Sequence, residues 1–234
     1  MTAPPPAPRR RRPGPQKIPR PLAARPGGPP PWREWFTAEE RPVVTVDQVR
    51  RAVVGLPELD PHLGPPVSAE AAVLAAVFEE NGEAHVILTR RTEWLRSHSH
   101  QVAFPGGRAD PGESPVDAAL REAYEEIGLD PSTVEIVGRL TRLATVSSGA
   151  SIHPFVGVLP GRPAFDPNPD EVERVYAVPI ADLMEGGAFR EEVWGVEGAE
   201  ERSIYFFELD DDTIWGATAR MLHELLTLLT AEAR

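Results

Sequence analysis

The sequence predicts one α+β domain that combines mixed β-strands with a few helices. Short apolar segments bounded by turn residues, such as those on either side of Asn81-Gly82, predict strands. Two segments with helical periodicity, one ending near Gly128 and one near the C terminus, predict helices. We find no internal repeat and no linker composition after residue 57, so residues 37–234 are interpreted as a single domain.

The composition excludes several classes of protein. Hydrophobic residues make up 41 % of the 234 residues, and no apolar run approaches the roughly 20 residues that span a bilayer. We therefore expect no membrane partner. The chain has no Cys, which excludes disulfides, thiolate zinc sites and Cys nucleophiles and leaves oxygen and nitrogen ligands for any metal.

Residues 1–36 differ from the rest of the chain in charge and proline content. They hold 12 of the 27 prolines and have a net charge of +7, which leaves −19 for the remainder against a total of −12. Pro cannot propagate a helix or an inner strand, so we expect a disordered extension. It lacks the apolar stretch of a secretory signal, and we expect a cytoplasmic protein. The acidic remainder disfavours nucleic acid as a partner of the folded domain; the oligomeric state stays open.

The first elements are a helix and a hairpin. Thr45 can cap a short amphipathic helix that runs through Val54 and is stopped by Gly55. Residues 71–78 and 85–89 then form two strands, because the Asn81-Gly82 dipeptide between them accepts positive φ and favours a tight turn.

Shorter strands and a final helix complete the domain. A strand over residues 101–104 leads into Pro105-Gly106-Gly107, where the glycines let the backbone approach a ligand or another chain closely. Apolar segments predict further strands at residues 134–143, 152–159, 172–178 and 203–209, and a final helix at residues 214–233.

The segment GGRADPGESPVDAALREAYEEIGL, residues 106–129, predicts a helix with an acidic face. Ser114 is a suitable N-cap, Pro115 fits the first helical position, and Gly128 is a stop signal. One stripe is apolar, and a different face carries Glu122, Glu125 and Glu126.

These three carboxylates repel one another. Like charges at this spacing cost roughly 0.2–0.5 kcal/mol per pair, and no Lys or Arg follows Glu122 by four residues. Carboxylate oxygens without thiolate or imidazole are hard ligands that suit Mg²⁺ or Mn²⁺. A solvated acidic face is the alternative interpretation.

The spacing of this segment resembles the Nudix box, G-x5-E-x7-R-E-U-x-E-E-x-G-U. Gly107, Glu113, Arg121-Glu122, Glu125-Glu126, Gly128 and Leu129 match it, and Ala123 stands where the pattern has a larger aliphatic residue. The resemblance implies the Nudix fold, a mixed sheet sandwiched between helices (α/β/α), and metal-dependent attack of water on a nucleoside diphosphate derivative.

The same resemblance assigns roles to box residues. Glu122 and Glu126 would be the principal metal ligands, Glu125 would share a metal or help to activate water, and the Gly106 carbonyl would be a further ligand. Arg121 would pair with a box glutamate and hold its rotamer, and Glu113 would support the loop that begins at Gly107.

The segment LTRRTEWLRSHSHQVAFPGG, residues 88–107, resembles the signature of the coenzyme A diphosphatase branch of that family. It implies that Arg91 and Arg96 contact phosphate oxygens, for which bidentate Arg is well suited. For His98, ligand contact and a structural role in the loop both stay open, and His100 stands where the branch has Gly. An extra acid often assists water activation in this family, and Glu171 is our choice over its neighbours Asp170 and Glu173.

These resemblances together imply an enzyme that hydrolyses coenzyme A or its derivatives to adenosine 3′,5′-bisphosphate and 4′-phosphopantetheine or its acyl form. One alternative is a Nudix hydrolase acting on ADP-ribose or another nucleoside diphosphate derivative. The other is a catalytically silent nucleotide-binding module, which would have no need of the unrelieved carboxylate face.

Overall fold

The computed structural model describes residues 14, 16–33, 41–56, 69–94, 99–144, 149–195 and 201–232. These residues form two β-sheets and four α-helices. The helices are α1 (Val46–Val53), α2 (Pro115–Ile127), α3 (Ile180–Met184) and α4 (Gly216–Glu232). The strands are β1 (Arg25–Pro26), β2 (Ala69–Glu80), β3 (Glu83–Arg91), β4 (Val102–Ala103), β5 (Gly106–Arg108), β6 (Glu135–Arg139), β7 (Leu143–Ala144), β8 (Ala150–Val158), β9 (Val172–Pro179), β10 (Phe189–Trp194), β11 (Arg202–Glu208) and β12 (Thr213–Trp215).

The larger sheet is mixed. Its strand order is β4-β3-β2-β8-β6, with β5 paired to β2, β7 to β8 and β9 to β3. Strands β2 and β8 are parallel, and the other pairs are antiparallel. The predicted α+β class is confirmed.

Strand β2 is buried on both faces, which places the sheet between two helical layers. Ala72, Leu74, Ala76 and Phe78 pack with the apolar side of α2, whereas the alternating positions Ala75 and Val77 pack with α1 and α4. Successive side chains of a strand point to opposite faces, so one strand contributes to both cores. The α/β/α arrangement implied by the resemblance is therefore present.

Local signals in the sequence placed several elements correctly. Thr45 caps α1 through a capping box with Gln48. Ser114 caps α2, and Gly128 ends it in the left-handed conformation. Asn81 and Gly82 have φ of 54° and 78°, so the hairpin turn has the two positive φ angles of type I′.

The smaller sheet differs from the expectation. Its order is β1-β10-β11-β12, and neither β1 nor β10 was predicted from the sequence. The helix expected at residues 214–233 begins only at Gly216, because residues 213–215 pair with β11 as strand β12. The strand expected at residues 134–143 is two strands, β6 and β7, separated by a short connection in which the Leu140 N–H donates to the Pro154 carbonyl.

Part of the N-terminal extension is packed on the domain, which corrects the prediction for residues 16–33. β1 pairs with β10, and the Gln16 side chain bonds with the Thr213 carbonyl and the Trp215 indole N–H. Trp32 is fully buried against Phe189 and Phe207. Proline prevents regular structure within this segment but does not prevent its side chains from docking. Residues 1–13, 15 and 34–36 lie outside the described residues.

In the described part of the chain, no helix is both long and apolar enough to cross a membrane.

Candidate active site

Helix α2 carries the predicted carboxylates and lies directly on the sheet. Its small residues Ala118, Ala119 and Ala123 are fully buried, which lets the helix axis approach β2 and β5 closely. This orientation turns Glu122 and Glu126 inward, with side chains 17 % and 2 % exposed, and leaves Glu125 55 % exposed. The three box glutamates therefore occupy different environments.

Two glycines make the close approach beneath α2 possible. Gly106 has φ of 151°, and a Cβ there would overlap the carbonyl of Ala72 on the paired strand β2. A Cβ on Gly107 would overlap the carboxylate of Glu122. The first glycine is required by the sheet, and the second leaves space for the carboxylate.

Arg121 connects five oxygen acceptors from four residues of the box. Its guanidinium donates to both oxygens of Glu113, at 2.8 and 3.0 Å, and to the Arg108 carbonyl at 3.0 Å. Its Nη1 also donates to Glu122 at 3.1 Å and Glu125 at 2.9 Å. The pairing of Arg121 with a box glutamate, expected from the sequence, is present. It holds the pKa of Glu113 down at about 2, with an added bond from the Asp110 N–H.

Glu126 is the most buried carboxylate of the site. Burial raises its pKa to about 7, Arg91 and the Gly106 N–H oppose that shift, and the charges of Glu122 and Glu171 add to it. The Arg91 Nη1 lies 3.2 Å from Oε1, and the Gly106 N–H donates to Oε2 at 3.3 Å. The sequence predicted Arg91 as a phosphate contact; in this structure it contacts a box carboxylate.

Glu122 is the second carboxylate of the site with a raised pKa. Burial raises this pKa, hydrogen bonding and charge from Arg121 lower it, and the charges of Glu125 and Glu171 raise it. The charges of Glu122, of Glu126 and of a third acid outside the helix therefore influence one another. Arg121 contacts the first of these carboxylates and Arg91 the second.

Glu171 is brought to the box by the connection that precedes β9. The Asn168 N–H donates to the Glu126 carbonyl at 2.9 Å, and the Asp166 N–H donates to the Ile127 carbonyl at 2.9 Å. Because this segment is bonded to the end of α2, the Glu171 charge raises the pKa of both Glu122 and Glu126. Asp170 and Glu173 are exposed, and Glu173 pairs instead with Arg90 and His100.

The backbone at His100 explains why Gly suits this position. Its φ is 58°, in the left-handed region that Gly adopts without penalty. The His100 N–H donates to the Arg91 carbonyl, and the imidazole Nδ1 lies 3.3 Å from Glu173. The other two residues predicted from this signature, Arg96 and His98, lie outside the described residues.

A cluster of polar side chains beside the site was not predicted from the sequence. Arg90 pairs bidentately with Glu173 and donates at 2.7 Å to Asp212, which is fully buried. Tyr176 donates to the same Asp212 carboxylate. Arg90 and Asp212 are far apart along the chain, so no local pattern could have indicated their pairing.

The donor set fits a hard divalent cation. Glu122 and Glu126 offer carboxylate oxygens. Burial is the main cause of the raised pKa of each, and the charges of neighbouring carboxylates add to it, so a bound cation would favour their ionised forms. Among the described residues, no three His, Asp or Glu side chains are already grouped to hold an ion. In this arrangement the carboxylates are hydrogen-bonded to arginines. Their fit to a cation therefore rests on the oxygen atoms that they offer and on their negative charge.

Comparison with known proteins gives a consistent result. Residues 69–196 match the NUDIX domain family. An uncharacterized Nudix hydrolase named NudL from Photorhabdus laumondii is 38 % identical over 141 residues, 60 % of this chain and 74 % of the relative. A Yersinia pestis protein of the same name is 35 % identical over 165 residues, 70 % of this chain and 81 % of the relative.

A solved structure shares the fold. A MutT/nudix family protein from Enterococcus faecalis superposes with a TM-score of 0.51 at 16 % identity, over 75 % of this chain and 66 % of that protein. The box residues on α2 and the upstream residues 88–94 both fall within the region matched to the family.

Proposed function

This chain belongs to the Nudix family of hydrolases, which act on phosphoric anhydride bonds, and we propose that its substrate is coenzyme A or a derivative. The proposed reaction is hydrolysis of the diphosphate to adenosine 3′,5′-bisphosphate and 4′-phosphopantetheine or its acyl form. Members of the family generally use divalent metal cations. We propose Mg²⁺ or Mn²⁺, because every proposed ligand supplies a hard oxygen.

One contact carries the proposal. Arg91, from the segment that resembles the coenzyme A diphosphatase signature, lies 3.2 Å from Glu126 of the box. The two motifs therefore belong to one site, so features of the upstream segment can act on the diphosphate bound there. Coenzyme A carries a 3′-phosphate beyond its diphosphate, which additional arginines such as Arg96 would recognise.

In the proposed mechanism, Glu122 and Glu126 would hold the cation, with Glu125 and the Gly106 carbonyl as further candidate ligands. A bound cation lowers the pKa of water and offsets charge on phosphate oxygens. Arg121 fixes the rotamers of Glu122 and Glu125 through its bonds to both, and Glu113 fixes Arg121 in turn.

Glu171 is the proposed acceptor of the proton from the attacking water. Glu125 is the competing choice, but its side chain is 55 % exposed and bonded to Arg121. Glu171 is partly buried, and its charge acts on both inward carboxylates. A base that is partly shielded and close to the box is better suited to receive a proton there.

A substrate screen tests the proposal. Purified protein is offered coenzyme A, dephospho-coenzyme A, ADP-ribose, NADH and diadenosine polyphosphates, each with Mg²⁺ and with Mn²⁺. We expect the highest kcat/KM for coenzyme A or an acyl derivative. Preference for ADP-ribose would move the assignment to another nucleoside diphosphate derivative, and no hydrolysis of any of them would favour a binding module.

A further inference from the structure

The end of strand β3 contacts two parts of the site through adjacent residues. The Arg91 side chain reaches Glu126 of α2. The next residue, Thr92, is 3 % exposed and turns toward the connection before β9. Its Oγ1 donates to the Asp170 carbonyl at 3.0 Å, and its N–H donates to the Glu171 carbonyl at 3.0 Å.

An irregularity in the ladder allows these contacts. Arg90 is opposite Arg174, but Arg91 is opposite Val172, so Glu173 is an extra residue on β9. Such a bulge bends the strand and redirects its side chains. Beyond the bulge, Thr92 stays attached to residues 170–171 through one main-chain and one side-chain hydrogen bond.

The same segment is held from its other side. The Glu171 N–H donates to the Asn168 carbonyl at 3.1 Å, and the Asn168 N–H donates to the Glu126 carbonyl. The Asn168 side chain accepts from the Asp170 N–H at 3.1 Å. The backbone of Glu171 is therefore fixed between α2 and the end of β3.

We propose that Thr92 is a positioning residue for Glu171, which it holds at a set distance from Glu122 and Glu126. Among the described contacts, the Thr92 hydroxyl is the one side-chain group that joins the residues following β3 to residues 170–171, and its small exposure excludes water as a ready substitute. The expected effect of Thr92 on kcat rests on the proposed hydrolysis. Its expected effect on the backbone of residues 170–171 does not depend on the substrate.

A double-mutant cycle tests it. Thr92→Val removes the hydroxyl at nearly constant volume, and we expect kcat to fall about tenfold with KM within about twofold. Thr92→Ser should restore kcat because it keeps the donor. In an E171Q background, Thr92→Val should cause little further loss, since the group that it positions is already absent.

A matched control separates positioning from general damage. Thr230 is also buried, and its hydroxyl donates to the Leu226 carbonyl in α4. Thr230→Val should lower thermal stability by a similar amount and leave kcat near wild type. If Thr92→Val does not fold, Thr92→Ala is compared with Thr92→Ser in the same cycle.

Amide exchange supplies a readout that needs no substrate. In metal-free protein, Thr92→Val should speed exchange in a peptide covering residues 168–172 and not in α4. If coenzyme A is not cleaved, the cycle is run on the anhydride that the screen identifies. Unchanged exchange, near-normal kcat in E171Q, or losses that multiply in the double variant would each overturn the proposal.

Discussion

The Arg91 guanidinium and the Glu126 carboxylate lie 3.2 Å apart, with the carboxylate 2 % exposed. These residues come from β3 and from α2, and their contact brings a cation of the upstream segment onto the most buried acid of the box. A buried carboxylate without a partner is costly, so Arg91 keeps Glu126 ionised more readily than burial alone would.

Glu122→Gln and Glu126→Gln should each retain the fold and lose most activity. Removing one carboxylate charge weakens cation binding, while it relieves repulsion within the helix. Turnover at saturating Mg²⁺ should drop, and the melting temperature of metal-free protein should hold or rise. Glu135→Gln, at an exposed pair with Arg50, is the control. Near-normal turnover in either box variant would contradict the assignment.

Arg91→Ala should reduce kcat/KM for coenzyme A and dephospho-coenzyme A by similar factors. Its observed partner is a box carboxylate common to both reactions, so its loss does not single out the 3′-phosphate. Stability should fall by about 1–3 kcal/mol because Glu126 loses its charged partner, and less in a Glu126→Gln background. A loss confined to coenzyme A would instead assign Arg91 to the 3′-phosphate.

Trp32→Ala should destabilise the protein by about 3–5 kcal/mol, the usual cost of emptying a large buried aromatic site. Trp32→Phe should cost less, because the buried indole N–H has no bond partner among the described residues. Removal of residues 1–33 should resemble the Ala variant, whereas removal of residues 1–13 takes away none of the described contacts. Urea unfolding of these four variants beside the wild type checks this, and stabilities equal to that of the wild type would show that Trp32 contributes nothing.

Acidification should destabilise the core around His223. This side chain stacks on Tyr205 at 4.0 Å, and burial lowers its pKa from 6.5, with Arg220 adding to the shift and Glu191 opposing it. Because the folded state binds the proton less readily, stability is full above the unfolded pKa and is lost as pH falls below it. The drop in melting temperature from about pH 8 to about pH 5.5 should be smaller in His223→Gln. An equal drop in both proteins would exclude His223 as the cause.

Much of the carboxylate helix could be predicted because its determinants are local. Ser114, Pro115 and Gly128 act on their own neighbouring backbone, and the helical repeat alone places Glu122, Glu125 and Glu126 on a face other than the apolar stripe. The same holds for the turn at Asn81-Gly82, where residue type restricts φ directly.

Contacts across the chain could not be predicted in this way. The prolines of the N-terminal segment correctly indicate a lack of helix, yet Trp32 docks in a core formed by Phe189 and Phe207. Likewise, the bulge at Glu173 of β9, opposite Arg90 and Arg91, depends on how β3 meets β9, which no short window of sequence contains.

The sequence by itself therefore determined which chemical groups the site has: a helix of carboxylates, two glycines beneath it and an arginine-bearing segment upstream. Tertiary structure decided their environments. Burial, ion pairs and the bonds that attach the loop before β9 arise only when the strands pair in register and the helices pack on the sheet. That step buried Glu126, joined it to Arg91, and attached Glu171 to the site through Asn168 and Thr92. The free energy of a charged group depends on its surroundings, which are not a property of its own stretch of chain.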